Sequence, residues 1–312
     1  MDYHLEIANK LPSNILFGTS SWTYPGWQGS IYKENYKNEK DLKARSLAEY
    51  AKFPWFRTVG VDSSFYGPLR ASTIEKYASM VPEDFQWTSK VWEQITVPIF
   101  PKHKRYGEKA GKENPDFLNA SLFKDAILEP YNTTGLSKHA GPFIFQFQHL
   151  SAPYKNKPEI FFEKLDNFLK ALPKDFHYAT EIRNKEFLDT DYFDLLNSHQ
   201  ATHCFNHWSY MPGLKTQMLV AAEAGGLKAP FYVSRILTPL GISYSDAVKK
   251  FQPYKEIAAT NTTMRNDVVK LIKRALKRAV KAFIIVNNRA EGHSPGTISE
   301  IGKAALETLE TK

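Results

Sequence analysis

Eight short runs rich in β-branched and aromatic residues recur along the chain, at 15–22, 58–66, 85–92, 141–147, 177–184, 201–207, 230–237 and 281–288. Most are separated by enough residues for a helix and a return loop. That spacing predicts parallel strands joined by crossovers, since hairpin-linked strands need only a few residues between them. Eight such units fit a closed (β/α)8 barrel, which gathers the C-terminal ends of its strands on one face. Nearly every run ends in polar, charged or aromatic side chains, so the pattern predicts one composite site built from residues far apart in the chain.

A content of 42% hydrophobic and 14% aromatic residues over 312 positions is enough for a large buried core. No internal repeat, low-complexity tract or composition break divides the chain. The expectation is therefore one TIM-type barrel domain over 1–312, with its core at about 14–310 and a long insertion after the third strand. The net charge of +8 includes a local cluster of Lys270, Lys273, Arg274, Lys277, Arg278 and Lys281. On a helix over 267–281 these oppose an apolar stripe of Val268, Leu271, Ile272, Ala275, Leu276 and Ala279, the ordinary pattern of a helix lying on a core. The alternative is a basic surface that attracts nucleic acid without reading its sequence. Cys204 is the one cysteine, which excludes an intrachain disulfide and a Cys-rich metal site. Residues 1–10 lack the apolar core of a signal peptide and no later segment has the apolar length of a membrane span, so a cytoplasmic protein without membrane association is expected.

Helices are expected at 42–53, 117–129, 158–171, 191–199, 214–224 and 298–311, and Ser72 with Glu75 has the S-x-x-E spacing of a capped helix start. The stretch 98–115 shows no periodicity and reads either as a lid over the strand ends or as a tolerated surface excursion.

The first run leads into Trp22, Tyr24 and Trp27, which form either an apolar wall for a planar or sugar-like ligand or a plug in the barrel mouth. An extended second run puts Asp62, Ser64 and Tyr66 on one side, a set suited to orienting a polyol or phosphate. Lys90 ends the third run beside Trp92, where an amine facing inward would have a lowered pKa or would pair with a ligand anion. In the fifth run, period-two alternation puts Glu181 and Arg183 on one face. Glu181 is the first choice for a general base or metal ligand and Arg183 for an anion holder, with a structural ion pair as the plain alternative. His203 and His207 lie too far apart along an extended strand to share an ion, about 13 Å, which leaves His207 alone as a site residue. Arg235 ends the seventh run as an anion holder or a rim salt bridge. The eighth run delivers Asn287 and Asn288, followed by His293, and the helix start near Gly296 has the form of a phosphate-receiving N-terminus.

These segments together resemble the domain of unknown function 72 family, also called YecE-like. The resemblance rests on 18–27 (GTSSWTYPGW), on Val61-Asp62-Ser63-Ser64-Phe65-Tyr66 and on Pro82-Glu83-Asp84-Phe85 leading to Lys90. It continues through Gly141-Pro142 before a Phe-rich strand, Glu181-Ile182-Arg183, and Asn287-Asn288 followed by Glu291-Gly292-His293. The family is similar to TIM barrels, so the resemblance implies the same fold and supplies no activity. The chain departs from the family pattern where Asp62 and Ser64 replace the usual Asn and Thr, where Arg289 replaces a His, and where Arg235 lacks a following His-Gly. Those departures imply altered ligand specificity if the positions touch ligand.

The leading functional expectation is an enzyme that binds a small anionic molecule, phosphorylated or sugar-like, at the barrel mouth, with Glu181 and Lys90 as catalytic residues. No cofactor and no resident metal set is assigned. A second reading is metal-dependent phosphodiester hydrolysis on nucleic acid, with Asp62, Glu181, His207 and His293 as ligands, though a two-metal site normally needs more donors than these. A third is a noncatalytic ligand-binding or interaction protein, since fold alone does not choose among them.

Overall fold

The computed structural model describes residues 3–310; the expected limits at 1 and 312, and the last residue of the helix expected at 298–311, lie outside them. Eight strands alternate with helices: β1 (Ile15–Thr19), β2 (Thr58–Val61), β3 (Gln86–Lys90), β4 (Ala140–Gln146), β5 (Tyr178–Glu181), β6 (Thr202–His207), β7 (Phe231–Ile236) and β8 (Lys281–Val286). They form one parallel sheet in the order β1-β8-β7-β6-β5-β4-β3-β2, a nearly closed barrel of the TIM kind. The expected eight-stranded α/β barrel is therefore the observed architecture, with seven of the strands shorter than their apolar runs and β4 displaced one residue toward the N-terminus of its run.

Closure between β1 and β2 uses few backbone bonds. The Arg57 N–H donates to the Phe17 carbonyl at 2.8 Å. Next to it, the Tyr50 hydroxyl accepts the Thr19 N–H at 2.9 Å and donates to the Thr58 carbonyl at 3.1 Å, bridging the two strands from a helix. The strands approach so closely that a Cβ on Gly18 would stand 2.1 Å from the Thr58 oxygen, which explains a glycine inside a strand at this point. Arg57 also donates to the Ala8, Leu11 and Pro12 carbonyls, tying down the helix Tyr3–Asn9, which the polar N-terminal sequence does not announce.

Alternation along each strand divides the apolar residues between two layers. Ile144, Ala179, Cys204, Phe231, Val233 and Phe283 fill the barrel interior, where bulky rings on β7 and β8 oppose small side chains on β5 and β6. A larger cluster lies between the sheet and the outer helices. The basic helix runs Thr262–Lys277 and buries Val268, Leu271, Ile272 and Ala275. Part of its positive face is used internally: Arg274 donates to the Met218 carbonyl at 2.9 Å and Arg278 to the Tyr232 hydroxyl at 3.2 Å. The helix Tyr244–Phe251 was not expected, and it starts where Ser243 caps the Asp246 N–H. The expected S-x-x-E start is corrected. The helix begins at Ala71, where the Arg70 carbonyl accepts the Thr73 and Ile74 N–H groups, so Ser72 lies inside the first turn.

Between β3 and β4 the chain forms a short helix, Glu93–Thr96, a 3-10 stretch over Lys104–Lys109 and a helical run from Ala120 to Thr134 with a π turn at Lys124–Leu128. Its irregular part is fastened by the Arg105–Glu93 ion pair at 2.6 Å and by Asn114, which donates to the Gln94 and Val97 carbonyls at 2.7 Å. No helix of the described residues is long and apolar enough to cross a membrane.

Candidate functional site at the barrel mouth

The C-terminal strand ends surround a cavity of about 720 Å³. Its floor is a chain of alternating charges drawn from β5 and the residues just past it, from β7 and from the turn after β2. Arg235, on β7, is inward because Phe231 and Val233 before it are inward, and its guanidinium spans the lumen. One nitrogen, Nη1, donates to Glu181 Oε2 at 2.6 Å, and the other, Nη2, to Asp62 Oδ1 and Oδ2 at 2.9 and 2.7 Å. The second Glu181 oxygen is paired with Arg183 Nη2. Gln146, level with Glu181 in the β4–β5 register, accepts from Arg235 Nη1 at 3.2 Å.

Glu181 is fully buried, at 0% exposure. Burial alone would raise its pKa, but the adjacent Arg183 and Arg235 guanidiniums outweigh that and hold it below the usual carboxylate value. A carboxylate so stabilised is a weak base. Both of its oxygens lie against guanidiniums, Oε1 against Arg183 and Oε2 against Arg235. Desolvation would lower the pKa of Arg235, and Asp62 and Glu181 together reverse the shift, so it stays protonated.

Lys90 is in the opposite condition. Its Nζ sits over the Phe65 ring, 3.7 Å from the centroid, and among the described residues it has no hydrogen-bond or ion-pair partner. Desolvation lowers its pKa to about 8, opposed by Asp62 and reinforced by Arg235. The wall of the cavity is completed by Arg–aromatic stacks. Arg183 lies over Trp208 at 4.3 Å and Arg289 over Tyr244 at 4.5 Å, and Tyr210 stands at the rim, 70% exposed. Arg183 Nη1 and Arg289 Nε have no hydrogen-bond partner. Four cations, Lys90, Arg183, Arg235 and Arg289, thus face one cavity against two carboxylates, Asp62 and Glu181.

The structure brings Lys90, Asp62, Arg183 and Arg235 together on this cavity, with Glu181 directly beneath. It separates the other expected residues from it. Residues 62–66 form a 3-10 turn rather than a strand, so the period-two argument for Ser64 and Tyr66 fails. Ser64 is buried, with its hydroxyl between the Val61 and Lys90 carbonyls at 2.6 and 2.7 Å, and Tyr66 is 66% exposed outside the cavity. Trp22 and Trp27 are core residues, and Tyr24 packs on Trp27 with its hydroxyl pKa raised by burial. His207 is on the β6 face opposite Cys204, and its ring bonds the Thr238 carbonyl at 2.8 Å. Asn287 and Asn288 shape the turn after β8: Asn287 accepts the Arg289 N–H, and Asn288 accepts the Ser294 N–H and hydroxyl.

His293 lines a different groove, with Ser299 and Lys303. The expected phosphate site at the helix start is also corrected, because its donors are occupied. The Ser294 N–H goes to Asn288, the Gly296 N–H to His293 Nδ1 and the Thr297 N–H to the His293 carbonyl. The ligand set Asp62, Glu181, His207 and His293 is therefore not assembled, and no group of three or more His, Cys, Asp or Glu suited to a metal occurs among the described residues.

Sequence reasoning missed Arg289, Gln146, Trp208, Tyr210 and Tyr244 as cavity residues. Gln146 carried a usable signal, a polar residue ending a Phe-rich strand. The others come from loops and a helix that have no strand period to place them.

A family model described as a protein of unknown function, DUF72, matches residues 16–311. No functionally curated protein matches the chain. Among solved structures, the chain resembles a DUF72 family protein from Enterococcus faecalis V583, with a TM-score of 0.63 at 16% identity over 94% of this chain and 95% of that one. It also resembles a DUF72 family protein from Thermotoga maritima MSB8, with a TM-score of 0.57 at 16% identity over 94% and 99% of the two chains. At that identity the likeness speaks for the fold alone.

Proposed function

The chain belongs to the DUF72 family, whose description assigns no activity, and from the site itself we propose that it is an enzyme acting on a small organic anion bound at the barrel mouth. The observation that carries the reading is the excess of cations around the cavity, Lys90, Arg183, Arg235 and Arg289 against Asp62 and Glu181. Both carboxylates at the mouth are already used by Arg235 and Arg183, so a ligand carboxylate or phosphate would balance the remaining positive charge of Lys90 and Arg289. Stacking on Trp208 and Tyr244 holds the two guanidiniums planar and in place, the arrangement that favours bidentate anion binding. Glu181 orients Arg183 and Arg235, and Lys90 supplies a cavity amine whose pKa is lowered to about 8.

The test is calorimetric titration with glycerol 3-phosphate, glucose 6-phosphate and citrate, with glycerol and glucose as uncharged controls. Saturable binding of at least one anion, weakened tenfold or more in both Arg183→Met and Arg289→Met and absent for the controls, supports the reading. Lack of binding by all three anions, or equal binding by the variants, overturns it. Arg289 has no carboxylate partner to strand, so its variant keeps the test valid if Arg183→Met folds poorly.

A further inference from the structure

We propose that Lys90 is a nucleophile toward carbonyl compounds, forming an imine through Nζ with a small 2-oxo acid whose carboxylate is held by the mouth guanidiniums. The proposal rests on the anion-binding reading of the same cavity and adds to it the substrate class and the reacting atom.

Three features of position single out this amine. Lys90 ends β3 and lines the cavity, so its nitrogen is open to a molecule bound there. The surroundings give its ammonium no hydrogen-bonding counterion: Arg235 Nη2 takes both oxygens of Asp62, and Arg235 and Arg183 take those of Glu181. A lysine in such a setting is rarely retained for packing, because an unpaired ammonium is costly to desolvate. Its backbone is fixed from behind, where the buried Ser64 hydroxyl donates to the Lys90 carbonyl, and its stem leads the nitrogen onto the Phe65 ring. With a pKa of about 8, a useful fraction of the amine is neutral near neutral pH.

The remaining groups suit what such an amine would attack. Arg183 and Arg289 line the same cavity and offer a carboxylate positive charge beside Lys90. In a 2-oxo acid the carbonyl carbon adjoins that carboxylate. The Nζ lone pair forms a bond to this carbon while the C=O π pair moves to oxygen. One amine proton passes to that oxygen, a second proton comes from the medium, and the oxygen leaves as water. The product is a protonated imine that keeps one hydrogen on nitrogen. Its delocalised cation faces the Phe65 ring and the Asp62 charge, both of which favour it.

The experiment incubates the whole protein with glyoxylate, pyruvate or 2-oxoglutarate, reduces with cyanoborohydride, and maps adducts by peptide mass spectrometry. Calorimetric titration with the same three acids runs in parallel. The expected result is a near-stoichiometric adduct on Lys90 with at least one acid, formed ten times faster than on any other lysine and suppressed by glycerol 3-phosphate. Adducts spread evenly over surface lysines overturn the proposal. Saturable binding of an acid without an adduct on Lys90 also overturns it and leaves the anion reading standing. Failure of all three acids to bind removes the 2-oxo acid as substrate class, and the phosphate and citrate titrations then decide separately whether an anion binds.

Discussion

Arg235 Nη1 lies 2.6 Å from Glu181 Oε2, across the barrel interior from β7 to β5, and both residues are almost without exposure. The pair belongs to a row that continues to Asp62 on one side and Arg183 on the other, and Glu181 is the member paired with both guanidiniums. Replacing Glu181 by Gln keeps the shape and removes the charge, leaving two buried guanidiniums facing each other. The expected cost is about 3–5 kcal/mol of unfolding free energy, as for other buried pairs that lose one partner. Urea denaturation at neutral pH checks it, and a loss below about 1 kcal/mol would show that the charges are solvated rather than buried.

The same pair fixes an acid dependence. Glu181 has a lower pKa in the folded protein than in the unfolded chain, so its contribution is complete above about pH 5 and is lost as pH falls below the unfolded value of about 4.3. Wild type should therefore lose stability more steeply than Glu181→Gln between about pH 5 and pH 3. Parallel curves for the two proteins, measured by urea denaturation at each pH, would contradict the shift.

How far this site could be read beforehand depended on local geometry. Glu181, Arg183 and Arg235 were legible because they continue true strands, where every second residue faces inward. Lys90 was legible for the same reason. Asp62 was assigned to the site by an argument that does not hold, since the chain leaves the strand at Val61 and turns with a three-residue period. That early exit turned Ser64 into a backbone brace and sent Tyr66 outward. His207 failed by parity: Cys204 and the other inner-core residues fix which β6 positions face inward, and residue 207 is on the other set. The Arg–aromatic wall was illegible, because Arg289, Trp208 and Tyr244 meet only through the packing of separate connections. The barrel itself was readable from the repeated runs, whose count and spacing survive errors of several residues at each end.

Lys90 carries the reverse pH signature. Its folded pKa of about 8 is below that of an unfolded lysine, so the unfolded chain holds more protons between the two values and stability rises with pH across that window. Lys90→Met removes an unpaired ammonium from a site that can take an apolar chain. At pH 7 it should stabilise the protein, on the order of 1 kcal/mol after allowing for partial solvation. The gain should shrink between about pH 8 and pH 10. Thermal melts of both proteins across that range check it, and a destabilised variant at pH 7 would mean that the ammonium is well paired.

Tyr50 substitutes for part of a β ladder. Its hydroxyl satisfies the Thr19 N–H and the Thr58 carbonyl at the seam where β1 and β2 share little backbone pairing. Tyr50→Phe leaves both groups buried and unpaired, at an expected cost of about 1–3 kcal/mol. Because the loss is local, hydrogen exchange at the Thr19 amide should accelerate more than exchange in β7 or β8. Uniform acceleration across the barrel would show that the seam has no separate opening.

Trp208 and Arg183 form the last testable relationship. The ring covers one face of the guanidinium at 4.3 Å, while Glu181 fixes only one of its nitrogens. Without the ring, the guanidinium keeps its charge and its ion pair but can rotate about that attachment. Trp208→Ala should therefore weaken anion binding about tenfold, or 1.4 kcal/mol, while Trp208→Phe should retain most of the affinity because a smaller ring still supports the stack. The partial exposure of Trp208 limits the stability lost in either variant, so the titrations compare folded proteins. Salt separates this effect from simple charge loss. The Ala variant keeps all four cavity cations, so its affinity should fall with ionic strength as steeply as that of wild type, whereas Arg183→Met should show a shallower dependence. Equal affinity of Trp208→Ala and wild type would mean that the ion pair with Glu181 alone sets the guanidinium in place.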